Sequence, residues 1–472
     1  MRLSPEKVLM VCALGAALLV ILRSLPLILS PYQIDYGEGL MMEGALCIRH
    51  SQPLYPKPFT FPVVLHVYGP VAYAAAASIL PGGSASFPAG RVLTLFCSIV
   101  LSLLLGTALR RMTGSWWIGL SFGLLLLTLP AFRFWLILLR ADVIGLVFST
   151  AGIALYLLNE RLWGWSIPCF ALALFCKYSL IAAPVAVLIH LILNQKAKRA
   201  FATAAGLGAA TILAFIVLQS RTGGWFAYHM FSTHPDRYSF VQFFTLGALV
   251  LASAPVITAL ALWYVAQDFG SRLRSFPPIY LAASSLTALT AGKLGSTTNH
   301  FAEWMVASCL CAGLGCSMLL TKHATKAMPV TVLLCASVLF GIIAQDRSTL
   351  QTERELADCD SAYGYVSDSS ASRILSESLG PLLAARRPVQ ISDPFEYDQL
   401  LKKNLWHDRQ VEELVNQRYF GLIVMSYDPS QVKTPASDWW LGPLSSALSR
   451  NYRTVRRFNC RDAGVVLEPV SP

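Results

Sequence analysis

Ile34-Asp35-Tyr36-Gly37-Glu38-Gly39 is the first polar stretch after an apolar run that extends from Lys7 to about Leu29. It sets two carboxylates and two glycines where a membrane helix leaves the hydrocarbon. Asp35 and Glu38 are three apart, so both can face one spot near the start of a helix beginning at Gly37. There they can take a proton from a hydroxyl nucleophile or hold a divalent cation. An Asp followed three residues later by a Glu is equally a helix capping box. Both readings stand at this point.

Outward from this stretch the chain is apolar. A hydrophobic content of 55% with only 13% charged residues over 472 positions, and a mean hydropathy of +0.54, exclude a soluble protein of this size. The formal charge of +11 is dispersed among short loops. That fits the positive-inside rule and argues against nucleic acid as a partner. Arg2 and Lys7 resemble the head of a secretory signal, but no small-residue cleavage site closes the run. An uncleaved helix that starts in the cytoplasm is expected.

A membrane helix needs about 20 apolar residues rising about 1.5 Å each. Lys7 to Leu29, Arg91 to Leu109, Trp116 to Phe132 and Asp142 to Leu158 qualify. Tyr68 to Leu80 is apolar over about 13 residues, roughly 20 Å as a helix, and is short for a span. If it crossed, Arg110 and Arg111 would emerge outside. Laid in the outer interface, it leaves them cytoplasmic, as the positive-inside rule prefers. The same test divides Trp163 to Leu193, about 46 Å as one helix, into a hairpin with Lys177 and Tyr178 at the outer surface. Arg161 before it and Lys196, Lys198 and Arg199 after it then share one side. Ala200 to Gln219, Val241 to Val265, Pro277 to Ala291, Trp304 to Leu320 and Pro329 to Ala344 alternate from there. The predicted fold class is an α-helical polytopic membrane protein with about eleven transmembrane helices plus interfacial helices. Ser30 to Pro88, Arg133 to Ala141, Arg221 to Phe240, Gly292 to Glu303 and the tail lie on the outer side.

Residues 1–345 form the predicted transmembrane domain, and 346–472 a soluble extracytoplasmic one. From Asp346 the composition is that of a globular domain of about 125 residues, enough to hold a core. Strand-like runs at Val389 to Ser392, Phe420 to Met425, Arg453 to Phe458 and Gly464 to Leu467 alternate with helix-like stretches at Ala371 to Ala385, Arg409 to Gln417 and Leu444 to Ser449. A small α/β layer without a Gly-rich phosphate fingerprint is expected. Most of the 11 cysteines lie within apolar runs; only Cys359 and Cys460 fall in the polar last third. They are expected to form a disulfide if that third lies outside the cytoplasm, and to remain thiols otherwise.

Asp35-Tyr36-Gly37-Glu38-Gly39, followed by Ser51-Gln52-Pro53-Leu54-Tyr55 and by His66-Val67-Tyr68-Gly69-Pro70, resembles the first outer loop of the GT-C-fold glycosyltransferases. These polytopic enzymes take sugars from polyprenyl-phosphate carriers and include protein O-mannosyltransferases and lipid A aminoarabinose transferases. In that family an acidic motif follows the first membrane helix. A short interfacial helix begins with a His or Tyr and a Pro, and an R-x-D-like element opens the fourth span, the place that Arg140-Ala141-Asp142 fills here. The resemblance covers Lys7 to Leu193 in order and spacing, and more loosely Asn299-His300-Phe301-Ala302-Glu303 and the tail. It departs at the acidic site, where Gly37-Glu38 with Asp35 before it replaces an adjacent Asp-Glu pair. That departure leaves open which carboxylate is the base.

The resemblance implies transfer of a sugar from a polyprenyl-phosphate donor to a hydroxyl of a glycan, lipid or protein acceptor outside a bacterial inner membrane. Asp35, Glu38 and Asp142 would be its catalytic carboxylates; a divalent metal held by the three fits and is not required. Arg140, Lys177 and Arg133 would face the donor phosphate. Plainer readings stand beside these: Asp142 can pair with Arg140, and Lys177 can snorkel from a helix end. Candidate substrate contacts are His66 and Tyr68, then His229 in a loop that also carries Trp225, Tyr228, His234, Asp236 and Arg237. Lys293, Asn299, His300 and Glu303 complete the set. Interfacial aromatics are common without function, and Lys293 can pair with Glu303. The alternative function is a transporter or flippase of a lipid-linked sugar. Such proteins keep polar residues near the midplane, often in inverted repeats, whereas the candidates here lie in outer loops and no repeat is seen.

Overall fold

The computed structural model describes residues 4–232, 237–403, 405–406, 410–429 and 444–470. Its helices begin with α1 (Pro5–Leu29), α2 (Tyr36–Arg49), α3 (Pro70–Ser78), α4 (Phe87–Thr113), α5 (Trp116–Leu126), α6 (Pro130–Arg133) and α7 (Ala141–Leu158). There follow α8 (Ser166–Leu174), α9 (Ala182–Leu193), α10 (Ala197–Arg221), α11 (Phe240–Ser253), α12 (Pro255–Ala266), α13 (Phe269–Arg272), α14 (Phe276–Ala288), α15 (Ala302–Lys322) and α16 (Ala324–Glu355). The polar tail adds α17 (Cys359–Asp368), α18 (Gly380–Ala384), α19 (Pro394–Lys402), α20 (Gln410–Asn416) and α21 (Ser445–Asn451). Its strands are β1 (Ile374–Ser376), β2 (Leu422–Met425), β3 (Tyr452–Arg457) and β4 (Val465–Pro469). The chain divides into two compact units. One comprises Met1–Leu25, Val92–Phe215 and Asp236–Arg347, the other Pro26–Arg91, Ile216–Pro235 and Ser348–Pro472.

The first unit is a helical membrane body. Six helical stretches among the described residues are long and apolar enough to cross: α1, α4, α7, α10, Thr298–Lys322 and Thr325–Ala344. Hydrocarbon offers backbone groups no partner, so such runs satisfy them internally as helix. The expected span from Val241 to Val265 is broken instead, with α11 and α12 meeting at 93°. Pro255 opens α12 and lacks a backbone N–H, and Ala254 before it sits outside the helical region at φ −142° and ψ 50°, as a residue preceding proline prefers. Pro130 has the same effect on the expected run from Trp116 to Phe132: α5 ends at Leu126, and Leu129 is extended before the single turn of α6. The hairpin expected between Trp163 and Leu193 is present as α8 and α9, with Lys177 in the turn between them.

Small residues let these helices approach closely, as packing in lipid favours. A Cβ added to Gly119 of α5 would come within 2.4 Å of the Gly106 carbonyl oxygen on α4, and one on Gly123 within 2.3 Å of that of Ser102. The crossing of α4 and α5 therefore admits no side chain at those positions. α15 is the most enclosed span, whereas α10 turns Phe201, Ile212, Leu213 and Ile216 outward. A lipid-facing surface accounts for that exposure.

The second unit is not the tail alone, because the loop after α1 belongs to its core. The sheet has the order β1-β2-β4-β3, with β1 parallel to β2 and the other pairs antiparallel. Leu375, Ile423, Val465 and Leu467 from the strands pack with Val63 and Leu65 from the first loop. The expected helix from Ala371 to Ala385 gives way to β1 and the short α18; Ile374 and Leu375 gain burial against β2 that a solvent-exposed helix could not supply. Val389 to Ser392 is not a strand of the sheet. Ile391 makes an isolated parallel bridge to Val63.

Cys359 and Cys460 form the disulfide, across 101 residues of sequence. Closing so long a loop restricts the unfolded chain, and a bridge of this kind contributes about 2–4 kcal/mol. Reduction of the full-length protein, or Cys460→Ser, is expected to lower the thermal unfolding midpoint; an unchanged midpoint would show that the bridge stabilises nothing.

Candidate functional site

In the second unit the acidic stretch forms a capping box at the head of α2. The Asp35 carboxylate accepts from the Gly37 N–H at 3.0 Å, while Glu38 Oε2 accepts from the N–H groups of Ile34 at 2.9 Å and Asp35 at 3.4 Å. Both Glu38 oxygens also take a forked arginine: Arg91 Nε donates to Oε1 at 2.8 Å and Nη2 to Oε2 at 2.7 Å. The other Arg91 donors reach the carbonyls of Leu27 at 2.9 Å and of Ser30 and Tyr32 at 2.6 Å. All five guanidinium N–H bonds are thus used, and both side chains are fully buried. In this geometry the Glu38 carboxylate, expected as a catalytic base or metal ligand, is engaged by Arg91 and the capping N–H groups, and it holds the turn between α1 and α2. Asp35 is half-buried at the N-cap.

The Glu38 charge also reaches Asp462. Burial pushes the Asp462 carboxyl up to about 7, with Glu38 adding to the rise and a hydrogen bond from Tyr363 opposing it. A carboxyl raised in the folded state binds protons the unfolded chain has lost, so its contribution is full below the ordinary carboxyl pKa near 4 and is lost as pH rises to about 7. Asp462→Asn is expected to gain stability over wild type above pH 7 and to lose that advantage below about pH 4. Unfolding midpoints at the two pH values check this, and a pH-independent difference would refute it.

His66 and His229 come together in the same unit. The His66 N–H donates to His229 Nδ1 at 3.2 Å, and His229 Nε2 lies 2.8 Å from the Pro56 carbonyl. The His66 ring meets Glu43, which the sequence reading passed over. Burial opposes both charges, but pairing outweighs it: the Glu43 carboxyl is held below its ordinary value and the His66 imidazole above. The signal for Glu43 was present, a lone charge inside the apolar run Leu40 to Ile48. Tyr68 is half-buried, and its carbonyl accepts from Tyr55 at 2.7 Å. The aromatic loop is used in packing, with Tyr228 against Phe59 at 5.2 Å and Phe59 against Trp406 at 4.9 Å. His234 and Asp236 lie outside the described residues.

In the first unit, Asp142 sits in the first turn of α7, 2% exposed. Its Oδ1 accepts from Lys177 Nζ at 2.5 Å and from Asn299 Nδ2 at 3.0 Å. Its Oδ2 has Arg140 Nε at 3.7 Å and accepts no hydrogen bond among the described residues. Four expected site residues therefore converge here from three separate segments. Arg133 closes α6, 3% exposed, and its terminal nitrogens make no hydrogen bond among the described residues. His300 Nδ1 is 2.9 Å from Thr290 Oγ1. Glu303 does not pair with Lys293, which is exposed. It takes the N–H groups of Ala182 at 3.1 Å and Ala183 at 3.2 Å, with Ser149 Oγ at 3.2 Å. A carboxylate at the N-terminus of α9 meets the positive end of that helix.

No family model matches the sequence, and no curated protein matches it either. Solved structures do match in fold. ArnT from Cupriavidus metallidurans, bound to undecaprenyl phosphate, aligns over 98% of both chains at a TM-score of 0.62 and 13% identity. The apo state of that protein gives 0.63 and 12%, covering 97% of this chain and 98% of that one. The archaeal oligosaccharyltransferase AglB from Archaeoglobus fulgidus, in complex with an inhibitory peptide and a dolichol-phosphate, gives 0.57 and 13%, covering 94% of this chain and 72% of that one.

Proposed function

We propose that this chain, a multi-pass membrane protein of the GT-C fold, is a glycosyltransferase that moves a sugar from a polyprenyl-phosphate donor onto an acceptor hydroxyl outside the cytoplasm. The observation that carries the reading is the convergence of two cations, Lys177 and Arg140, on Asp142 at the N-terminal end of α7. Lys177 and Arg140 both face one carboxylate whose second oxygen accepts no hydrogen bond among the described residues. Two partly buried cations beside one carboxylate form a positive site, and the phosphate of a lipid-linked sugar is an anion that suits it. Arg133, buried with no hydrogen bond at its terminal nitrogens among the described residues, supports the reading. The ArnT structure holds undecaprenyl phosphate and the AglB structure a dolichol-phosphate.

In this reading the acceptor oxygen attacks the anomeric carbon as the bond from that carbon to the phosphate oxygen breaks. The electron pair leaves on the lipid phosphate, where Lys177 and Arg140 stabilise the charge as it develops. A carboxylate takes the acceptor proton; Asp142 is our first choice and Asp35 the second to be tested. Glu38 positions the turn and touches no reactant. The donor-free Asp142 group fits a divalent cation poorly, since its near oxygen is already occupied by an ammonium and an amide. The test is transfer of radiolabelled sugar from synthetic polyprenyl-phosphate sugars to membrane acceptors by the purified protein. Absence of transfer from every lipid-phosphate sugar offered, with binding of lipid-linked sugar to the protein intact, would favour transport instead.

A further inference from the structure

We propose that Glu43, Cys47 and His66 bind one zinc-class divalent cation, at a site that goes beyond the transfer reading and does not depend on it. Glu43 and Cys47 stand one turn apart on α2, so their side chains share a face. His66 reaches them from the returning loop. One donor atom from each, a carboxylate oxygen, the Cys47 sulfur and His66 Nε2, lie within 4.8 Å of one another. All three residues are buried, and Cys47 Sγ is 3.4 Å from Glu43 Oε1.

The orientation of His66 is what a ligand requires. Its Nδ1 meets the Leu54 carbonyl, and a carbonyl can only accept, so that nitrogen carries the proton. Nε2 faces Glu43 and becomes the lone-pair donor once the proton it shares with that carboxylate is displaced. Metal-bound histidines are commonly held by their other ring N–H in this way. The His66 backbone is fixed in turn by His229 and, through it, by Pro56. Without a metal, a proton shared between Nε2 and the carboxylate and the Cys47 S–H donated to Glu43 Oε1 occupy the cluster; a cation competes with both protons for the same three donor atoms. A mixed nitrogen, sulfur and oxygen set suits zinc and its neighbours over magnesium or calcium.

Three protein ligands leave a tetrahedral ion one open position. Glu43 and Cys47 line a groove of about 840 Å³ shared with His50, Gln52, Arg386 and Arg387, so water completes the shell from that side. Binding releases the thiol proton, because the thiolate is the ligand.

The experiment is a cobalt(II) titration of the full-length protein, purified in detergent and stripped with a chelator. The expected result is one equivalent bound, with visible bands of tetrahedral cobalt and a near-ultraviolet thiolate-to-cobalt band, all abolished by zinc. Cys47→Ser should remove the thiolate band and weaken binding by about a hundredfold, the upper end of what even an outer-shell loss costs. Cys316→Ser, in the enclosed α15, should keep the band. Absence of the band in wild type at excess cobalt overturns the proposal whether or not any variant folds, as does a band that survives in Cys47→Ser. The readout is spectroscopic, so its failure leaves the transfer reading untouched.

Discussion

Asp142→Asn is expected to lower the turnover of sugar transfer by about 10²–10⁴-fold, the range that loss of a positioned acid–base group produces. The asparagine keeps the shape, and its carbonyl can still accept from Lys177, so the packing around position 142 is preserved. What is lost is the charge. Lys177 and Arg140 would then face no anion on Asp142, and the pocket would hold a donor phosphate at least as tightly as before. KM for the lipid donor should therefore stay level or fall while kcat collapses. Lys177→Met should do the reverse, raising KM for the donor and lowering kcat together, because it removes the cation the phosphate would meet. A merely structural role for Asp142 predicts parallel losses of stability and activity in both variants, with no split between the constants. Transfer within about twofold of wild type in Asp142→Asn, against the expected range, would remove this carboxylate from the reaction.

How much of this was legible in the sequence follows from the range of the interactions. Of the about eleven expected spans, hydropathy located the six that are long, apolar helices among the described residues, because membrane insertion depends on local composition; charge counting also split Trp163 to Leu193 at Lys177, where the two shorter helices α8 and α9 meet. Asp142, Arg140 and Lys177 could be singled out because polar groups at span ends need partners. Pro255 and Pro130 were in plain view, yet apolar runs were drawn through them, and the helices break at both. The capping box was one of two readings of Asp35 and Glu38, and only the coordinates supply Arg91, 53 residues away, as the partner that occupies Glu38. No local pattern announces that pairing. β1 was hidden for the same reason: Ile374 and Leu375 sit in a helix-like stretch and become strand only against β2. Glu43 differs, since a charge in the middle of Leu40 to Ile48 was itself a warning that a partner must exist.

The buried pair of Glu38 and Arg91 carries the largest expected stability effect. Neither side chain is exposed, so removing one leaves the other charged, desolvated and uncompensated, at a cost of about 3–5 kcal/mol. Glu38→Ala should approach that loss, since it also strips the cap from α2. Glu38→Gln should lose less, because its carbonyl can still accept from Arg91 and from the capping N–H groups. Arg91→Met costs more than the ion pair, for it also abandons the carbonyls of Leu27, Ser30 and Tyr32. Combining Glu38→Ala with Arg91→Met should therefore recover only part of the summed loss, with a coupling of about 1–3 kcal/mol. Thermal unfolding of the detergent-solubilised protein measures all of these. The order of effects separates architecture from catalysis: if Glu38 were the base, Glu38→Gln would abolish transfer even in the fraction of the protein that remains folded. The geometry predicts instead that its activity falls only as far as its folded fraction does.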